Sequence, residues 1–474
     1  MLKRTAIAGA MSVALAGNLA AHAKDVTFAE ITLPVADPTA VTVSASVTVD
    51  GGAPQALSFT ELFRTGDSDN GHTYGLMLDY LGNPALSGTG DPYICSGNAD
   101  GVEVSGTDFS ALLEKNGKTS FAKHYAMGRF SHELGYVMPD KKTVYLTDDG
   151  TNDTLFMFVA NEPARMSSGT LYAARWHQTS GQGGRSAQLK WINLGSAKSQ
   201  EIIRALLAQP KFSDIFDLDT PNCTQLAADD IVECIELKPG MDQLASRLEA
   251  RRYAALKGAT HEFRKMEGFT FDGERNQAFI AISEVGRGML DNTGDPDKGG
   301  RNYDDRNEDG VPETGNHIRV AKPDYCGAVY SMDMVPGIED TNGEEIESDY
   351  VAVNMTSILA SGSPGGELSP EDCAANNDVM AQPDNITMIK KSDTLVIGED
   401  GDHTNNMVWA YNLHNGDLTR IAPVPVGAET TSPYFHKVGD ATYMTLVAQH
   451  PDPSPTNTNG DSITGVIGPI DLGD

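Results

Sequence analysis

Four residues with oxygen-bearing side chains stand just before apolar segments of the sequence. They are Glu133, Glu267, Asn385 and Glu429, and each leads into an apolar segment, a turn and a second apolar segment. Carboxylate and amide oxygens are ligands that hard cations such as Ca²⁺ and Fe³⁺ prefer. The pattern therefore indicates four candidate metal ligands that belong to one repeated unit.

A second set of acidic residues ends the returning segment in three of the four copies. These are Asp148 and Asp149 in the first copy, Glu284 in the second, and Glu399 and Asp400 in the third. The two aspartates of the first copy and the two acids of the third are further candidate metal ligands. For the first pair, the capping of a hairpin is the alternative interpretation.

The repeated strand–turn–strand unit predicts how these side chains are positioned. Repeats of this kind at long spacing are typical of β-propeller blades. If each copy forms the inner part of a blade, its leading residue lies at the same rim of the central channel. Several carboxylates at one point repel one another unless a cation neutralises them. We therefore expect an all-β fold, a single six-bladed β-propeller, with a metal site at one channel mouth.

The rest of the sequence fits one domain over residues 24–474. Segments typical of strands dominate from residue 127 onward, but apolar residues at helical spacing occupy 199–208 and 240–257. We interpret residues 198–263 as a small helical insertion in one blade. No stretch with the composition of a flexible linker separates this insertion from the strands.

A hydrophilic segment at residues 291–317 contains another candidate cation site. Asp305, Asn307 and Asp309 alternate ahead of Gly310, as at the start of an EF-hand calcium loop. The twelfth position is Asn316, where such loops carry a bidentate glutamate, so we expect weaker calcium binding. An ordinary acidic turn is the alternative.

The first 23 residues have the pattern of a secretory signal peptide. Lys3 and Arg4 precede an apolar stretch at residues 6–20, and Ala21-His22-Ala23 forms a small-x-small cleavage site. The stretch is too short for a convincing transmembrane anchor, and no other segment reaches spanning length. We expect a periplasmic or extracellular protein without a transmembrane segment.

The charge balance of the chain argues against polyanionic partners. The chain has 35 basic and 66 acidic residues, a net charge of −31. Such a surface repels nucleic acid and anionic membranes. It also repels an anionic substrate unless bound cations reverse the local field.

Five cysteines give two candidate disulfides and one residue left over. Cys223 and Cys234 flank a short acidic loop, and Cys326 can pair with Cys373. Sequence alone does not fix this connectivity. Cys95 is then either a free thiol or a metal ligand.

Several stretches together resemble a known family, the PhoX-type secreted alkaline phosphatases, which are calcium- and iron-dependent β-propellers. The resemblance covers about residues 127–451, and the helical insertion matches poorly. It is carried by Gly128-Arg129-Phe130-Ser131-His132-Glu133, Val144-Tyr145-Leu146-Thr147-Asp148-Asp149, Met266-Glu267-Gly268, Leu395-Val396-Ile397-Gly398-Glu399-Asp400-Gly401, Val426-Gly427-Ala428-Glu429-Thr430-Thr431 and Val447-Ala448-Gln449-His450-Pro451.

The resemblance implies a monomeric enzyme that hydrolyses small phosphorylated substrates. It implies an iron–calcium cluster, with Cys95 as the thiolate ligand of Fe³⁺ and Lys265 or Arg129 in contact with phosphate. The chain departs from the family at three places. Lys3-Arg4 replaces twin arginines, the surroundings of Cys95 match weakly, and Lys265-Met266-Glu267 replaces Arg-Pro-Glu. A lysine offers a point charge where an arginine offers a bidentate contact.

Two other classes of function fit the same residues. One is a calcium-dependent propeller hydrolase of another type, such as a lactonase or a phosphotriesterase. The other is a binding propeller that keeps calcium as structural support. Iron together with calcium favours the phosphatase, and calcium alone favours the other hydrolase.

Overall fold

The computed structural model describes most of the chain after its N-terminal segment. Side chains are described in residues 23–65, 123–179, 186–226, 233–290, 316–320, 322–361 and 368–473. Additional strands between residues 68 and 122 are described by their backbone alone. Residues 1–22 of the predicted signal peptide lie outside the described part. Within the part that is described, no helix is long and apolar enough to cross a membrane.

Strands dominate the structure and are numbered here in chain order. Those before residue 200 are β1 (Val26–Phe28), β2 (Ser46–Val49), β3 (Gln55–Ala56), β4 (Ser58–Arg64), β5 (Ser68–Asp69), β6 (His72–Thr73), β7 (Phe109–Leu113), β8 (Thr119–Lys123), β9 (His132–Val137), β10 (Thr143–Asp148), β11 (Thr151–Asp153), β12 (Phe156–Ala160), β13 (Ser168–Gln178) and β14 (Ser186–Lys198). Those after it are β15 (Phe216–Leu218), β16 (Thr224–Ala228), β17 (Ile231–Leu237), β18 (Phe263–Arg264), β19 (Met266–Asp272), β20 (Gln277–Ile282), β21 (Ala328–Val335), β22 (Val351–Ala352), β23 (Asn354–Ala360), β24 (Pro383–Met388), β25 (Thr394–Glu399), β26 (Met407–Asn412), β27 (Leu418–Pro423), β28 (Glu429–Thr431), β29 (Phe435–Val438), β30 (Ala441–Gln449) and β31 (Ile463–Ile470).

The helices are few and short. They are α1 (Ser199–Leu206), α2 (Phe212–Ile215), α3 (Asp242–Leu248), α4 (Ala250–Leu256) and α5 (Pro370–Ala375), with 3₁₀ turns at Tyr125–Met127 and Arg287–Met289.

Four antiparallel sheets recur along the described chain. Their strand orders are β9-β10-β12-β13, β19-β20-β21-β23, β24-β25-β26-β27 and β28-β30-β31-β4. The first two are joined at their outer edges, because β14 pairs with both β13 and β23. The fourth is completed by the N-terminal strand β4, which pairs with the C-terminal strand β31. Antiparallel sheets of four strands are the units of β-propellers.

Hydrophobic side chains fill the spaces between successive sheets. One buried cluster joins the first and second sheets and includes Tyr145 and Phe269, whose ring centroids lie 4.9 Å apart. Another joins the second and third sheets through Phe279 and Ile397, and a third joins the third and fourth. Sheets that pack face to face in chain order have the arrangement of blades. The expected all-β propeller is confirmed, and its six-bladed count stays a prediction.

The helical insertion covers the outer face of the first sheet. Helices α1 to α4 and the β15–β17 sheet follow directly after β14, and a buried cluster packs α3 and α4 against β10, β12 and β13. The predicted helix at 240–257 is broken at Glu249, where the backbone leaves the helical conformation (φ −137°). Both predicted disulfides are confirmed, Cys223–Cys234 within the insertion and Cys326–Cys373 between β20 and β24.

Candidate metal centre and active site

Three carboxylates from the inner strands of three sheets come together. Glu133 on β9, Glu267 on β19 and Asp384 on β24 each offer an oxygen, and these oxygens lie within 4.8 Å of one another. Glu267 and Asp384 are buried, and Glu133 is half-buried. Oxygen donors at this spacing form a set that a hard cation can bind. We refer to these three residues as the carboxylate group.

The same local irregularity positions each of the three carboxylates. In β9, β19 and β24 the register slips by one residue against the neighbouring strand, so that two residues of the inner strand face one residue of its partner. The slip falls at Glu133, Glu267 and Asp384 in turn. A β-bulge of this kind bends the strand and re-aims a side chain. The bulges therefore turn the three carboxylates toward one point.

A glycine allows two of these strands to approach closely. A Cβ added at Gly268 would lie 2.5 Å from the carbonyl oxygen of Asp384 and 2.6 Å from the nitrogen of Ile386. The Ser283 hydroxyl adds a bridge, since it donates to Glu267 Oε1 (2.8 Å) and to the Pro383 carbonyl (3.1 Å).

The close approach makes a prediction about Gly268. In Gly268→Ala the methyl group would push β19 from β24, so we expect the melting temperature to fall and calcium to bind more weakly. Overpacking of a tight contact costs about 1–3 kcal/mol. Differential scanning calorimetry with and without calcium measures both effects. Gly273→Ala, where the nearest atom is 3.6 Å away, is the control, and equal behaviour of the two variants would contradict the role of this contact.

A fourth carboxylate, Glu429 at the start of β28, lies beside the group. It is close enough to Asp384 to add to the rise in the pKa of Asp384 that burial causes, and its Oε2 lies 3.2 Å from His450 Nε2. Asn385 is beside the group rather than in it, because its Nδ2 donates to Asp384 Oδ1 (2.7 Å) and its Oδ1 accepts from the Ser432 amide (2.9 Å). Asn385 thus orients Asp384, the residue that the sequence reasoning passed over.

Burial and mutual repulsion act together on these acids. Burial is the main cause that raises the pKa of Glu267 well above its usual range, and the nearby charges of Asp149 and Glu133 raise it further. Burial likewise raises the pKa of Asp384, with added repulsion from Glu267, Glu429 and Glu133. Without a cation, Glu267 and Asp384 therefore keep their protons to a higher pH than exposed carboxyl groups do. A bound cation favours their ionised forms.

Lys265 lies at the edge of the carboxylate group. Its Nζ is 3.7 Å from Glu267 Oε1 and 3.9 Å from Asp400 Oδ2. Burial lowers the pKa of Lys265, but the charges of Glu267, Asp149 and Asp400 outweigh this and raise it above its usual value. The backbone of Lys265 has a positive φ of 44°. Its amide donates to the Gly150 carbonyl (2.9 Å), and its carbonyl accepts from the Ser283 amide (3.0 Å).

A comparison of the sequence with models of known families shows to which family this chain belongs. A family model described as alkaline phosphatase PhoX matches residues 114–452, which is more than half of the chain. The chain belongs to the alkaline phosphatase PhoX family. This confirms the resemblance found in the sequence. A comparison with the curated proteins gives no match.

Comparison with solved structures gives more distant similarities. Pseudomonas fluorescens PhoX in complex with vanadate, a transition state analogue, is 18% identical with a TM-score of 0.47 over 75% of this chain and 56% of that chain. A luciferin-regenerating enzyme is 8% identical with a TM-score of 0.24 over 76% and 95% of the two chains. The chain thus spans just over half the length of the Pseudomonas fluorescens structure. At these scores, the family assignment rests on the sequence match.

Two predicted metal ligands have other partners in the structure. Asp148 is buried and forms a bidentate ion pair with Arg251, with one contact of 2.7 Å to Arg251 Nε. The Glu399 oxygens accept from the Ala381 amide (2.7 Å), the Met407 amide (2.8 Å) and Trp409 Nε1 (2.7 Å). The structure therefore does not bring these two acids into the carboxylate group, because hydrogen bonds that hold the fold already use their oxygens.

The structure places the remaining candidates as follows. Asp149 lies close enough to Glu267 and Lys265 to raise the pKa values of both. Asp400 lies close enough to Lys265 to raise the pKa of that residue. Arg129 points toward the insertion, where its side chain is half exposed and lies 3.7 Å from Glu249. Cys95, Asp305, Asn307 and Asp309 lie outside the described residues, so their predicted roles stay predictions.

Proposed function

We propose that this chain is a metal-dependent phosphatase that hydrolyses phosphate monoesters and releases inorganic phosphate. The observation that carries the proposal is the carboxylate group, whose oxygens lie within 4.8 Å of one another in a member of the PhoX family. Carboxylates alone repel a phosphate dianion. Cations held by these oxygens reverse that field and create a site for the substrate.

Calcium is the cation we propose for this centre. Ca²⁺ takes six to eight oxygen ligands from carboxylates, amide carbonyls and water, and Glu133, Glu267, Asp384 and Glu429 supply the carboxylates. When bound, the cation supplies Lewis-acid stabilisation of the charge that develops on the phosphoryl oxygens. Fe³⁺ is proposed as a second cation, with Cys95 as its thiolate ligand.

Lys265 is the residue that we propose for phosphate binding. The surrounding carboxylates keep its ammonium group charged over the alkaline range, so it can donate to a phosphoryl oxygen throughout. Burial and the charge of Glu429 raise the pKa of Asp400 to about 6, so Asp400 is ionised at alkaline pH and helps to hold Lys265 in place. The backbone of Lys265 has a positive φ. This strained conformation fixes the position of its Cβ atom.

This role predicts the effect of a charge-removing substitution. In Lys265→Met the alkyl chain remains and the donor is lost, so we expect kcat/KM to fall on the order of tenfold to a hundredfold, as for a hydrogen bond to a charged group. Calcium affinity should not fall, because a positive charge beside the ligands is removed. Steady-state kinetics and calcium titration measure the two quantities. Lys238→Met, in the insertion, is the control, and unchanged kcat/KM in Lys265→Met would contradict the role.

The location and partners follow from the same proposal. Disulfides persist in oxidising compartments, and the structure has two. This supports a periplasmic or extracellular protein, exported by the predicted signal peptide. We propose a monomer that acts on small phosphorylated substrates.

A substrate panel tests the proposal. The purified protein, loaded with calcium and ferric iron, is assayed at alkaline pH with p-nitrophenyl phosphate, a phosphotriester and a lactone. We expect hydrolysis of the monoester. Hydrolysis of the triester or the lactone alone would favour the other hydrolase, and calcium binding without any hydrolysis would favour a binding propeller.

A further inference from the structure

Gln449, the last residue of β30, has a buried side chain with unusual surroundings. It is 0% exposed. Among the described residues, neither its Oε1 nor its Nε2 has a hydrogen-bond partner. Burying an amide without a partner costs free energy. A buried polar side chain of this kind calls for a functional explanation.

The position of Gln449 connects it to the carboxylate group. In the pairing of β28 with β30, Gln449 stands directly opposite Glu429. Directly opposed residues of antiparallel strands project to the same face, with Cβ atoms about 4.5–5.5 Å apart. Glu429 in turn lies close enough to Asp384 for the two charges to repel each other. Gln449 is therefore a near neighbour of the proposed ligands.

Two more buried polar atoms near Glu429 share this property of the Gln449 amide. Asp384 Oδ2 and Thr431 Oγ1 have no hydrogen-bond partner within the described part of the chain. Thr431 lies two residues after Glu429 on β28, and so on the same face of the strand. Three residues near Glu429 therefore carry an oxygen atom without a hydrogen-bond partner among the described residues. They are Gln449, Asp384 and Thr431.

From this placement we infer that Gln449 is a neutral oxygen ligand of the cation that Glu429 and Asp384 bind. The inference rests on the proposed calcium centre and adds a ligand to it. Amide carbonyls are common calcium ligands. A neutral ligand suits this position, because Glu133, Glu267, Asp384 and Glu429 already bring four carboxylates and a fifth would add repulsion.

A packing role makes a different prediction from a ligand role. Leucine is similar in volume to glutamine and has no polar atoms. If Gln449 only packs, Gln449→Leu removes an unsatisfied amide and raises the melting temperature equally with and without calcium. If Gln449 is a ligand, the variant gains stability without calcium and loses affinity for calcium.

Calcium titration separates the two roles. Calcium chloride is titrated by calorimetry into chelator-stripped wild type, Gln449→Leu, Gln449→Glu and the control Gln277→Leu, whose amide donates to Asp333 on the neighbouring strand β21. We expect Gln449→Leu to bind calcium about tenfold more weakly or worse, as for other groups at metal sites. Gln449→Glu keeps an oxygen donor and adds a charge. The added repulsion destabilises the calcium-free site and is relieved when the cation binds, so this variant should bind calcium at least as tightly as wild type. Gln277→Leu should match wild type.

The outcomes are distinguishable. Wild-type affinity in Gln449→Leu would overturn the inference and leave the calcium centre standing. Failure of the wild type to bind calcium would overturn the centre and the inference with it. If Gln449→Leu does not fold, Gln449→Glu still decides, because a weaker affinity in that variant is incompatible with a ligand role.

Discussion

We expect Glu267→Gln to lower kcat/KM for p-nitrophenyl phosphate by at least ~10²-fold, the size of effect seen when one key electrostatic group is removed. Glu267 is buried at the centre of the carboxylate group. Glutamine has the same volume, and its carbonyl can still accept from the Ser283 hydroxyl that bonds Glu267. The substitution therefore removes one ligand charge and little else.

The same variant should be more stable than wild type when calcium is absent. Repulsion from Asp149 and Glu133 acts on Glu267 in the folded protein, and glutamine removes it. Loss of activity with gain of stability is expected for a site whose function requires close like charges. Asp217→Asn, an exposed carboxylate in the insertion, is the control for both measurements. Near-full activity in Glu267→Gln would show that Glu267 does not have the role proposed.

Removal of calcium lowers the melting temperature of the wild type. A ligand at 100 times its Kd that binds only the folded state stabilises it by about 2.7 kcal/mol. For a chain of this size, a loss of that order lowers Tm by several degrees. Several bound cations would make the effect larger. Scanning calorimetry before and after treatment with a chelator, with elemental analysis of the metal, measures it.

The calcium-free protein should also become less stable as pH rises. The pKa values of Glu267 and Asp384 are raised in the folded state. At pH values between the ordinary carboxyl range and the raised values, the folded protein holds protons that the unfolded chain releases. Stability is then highest below the unfolded pKa and falls as pH rises toward the folded one.

Calcium should remove most of this pH dependence, because a cation favours ionised ligands. The calcium-free protein should therefore have a higher Tm at pH 5 than at pH 8, and calcium should raise Tm more at pH 8. The control is Glu267→Gln, in which the slope of Tm against pH should be smaller. A calcium-free protein whose Tm rises from pH 5 to pH 8 would show that these acids are not forced together.

The sequence predicts which strands pair in the repeated unit. It also predicts that acidic residues stand at the start of the inner strands. Glu133, Glu267 and Glu429 all reach the site because each stands where an inner strand begins, and that position is visible in the hydrophobic pattern. In the third copy the sequence predicts Asn385 as the ligand, whereas the structure places its neighbour Asp384 in the carboxylate group. The bulge in β24 places two residues against one, and hydrophobic periodicity does not reveal such a slip.

Two other predicted ligands have partners that the sequence pattern does not identify. Asp148 and Glu399 end their strands as expected, and their oxygens bond groups from elsewhere in the chain. Arg251 is 103 residues from Asp148. Glu399 bonds four groups, which lie between 18 residues before it and 10 residues after it in the chain. Whether a buried acid binds a cation or holds the fold depends on which donors the tertiary structure brings to it.

A crystal structure from crystals grown with calcium tests the central claim most directly. We predict an anomalous-scattering peak between Glu133, Glu267 and Asp384, with carboxylate oxygens at 2.3–2.6 Å from it, the usual range for calcium. Hydrogen-bonded acids without a peak, in a protein that hydrolyses phosphate monoesters, would contradict the proposal that this carboxylate group is the metal centre.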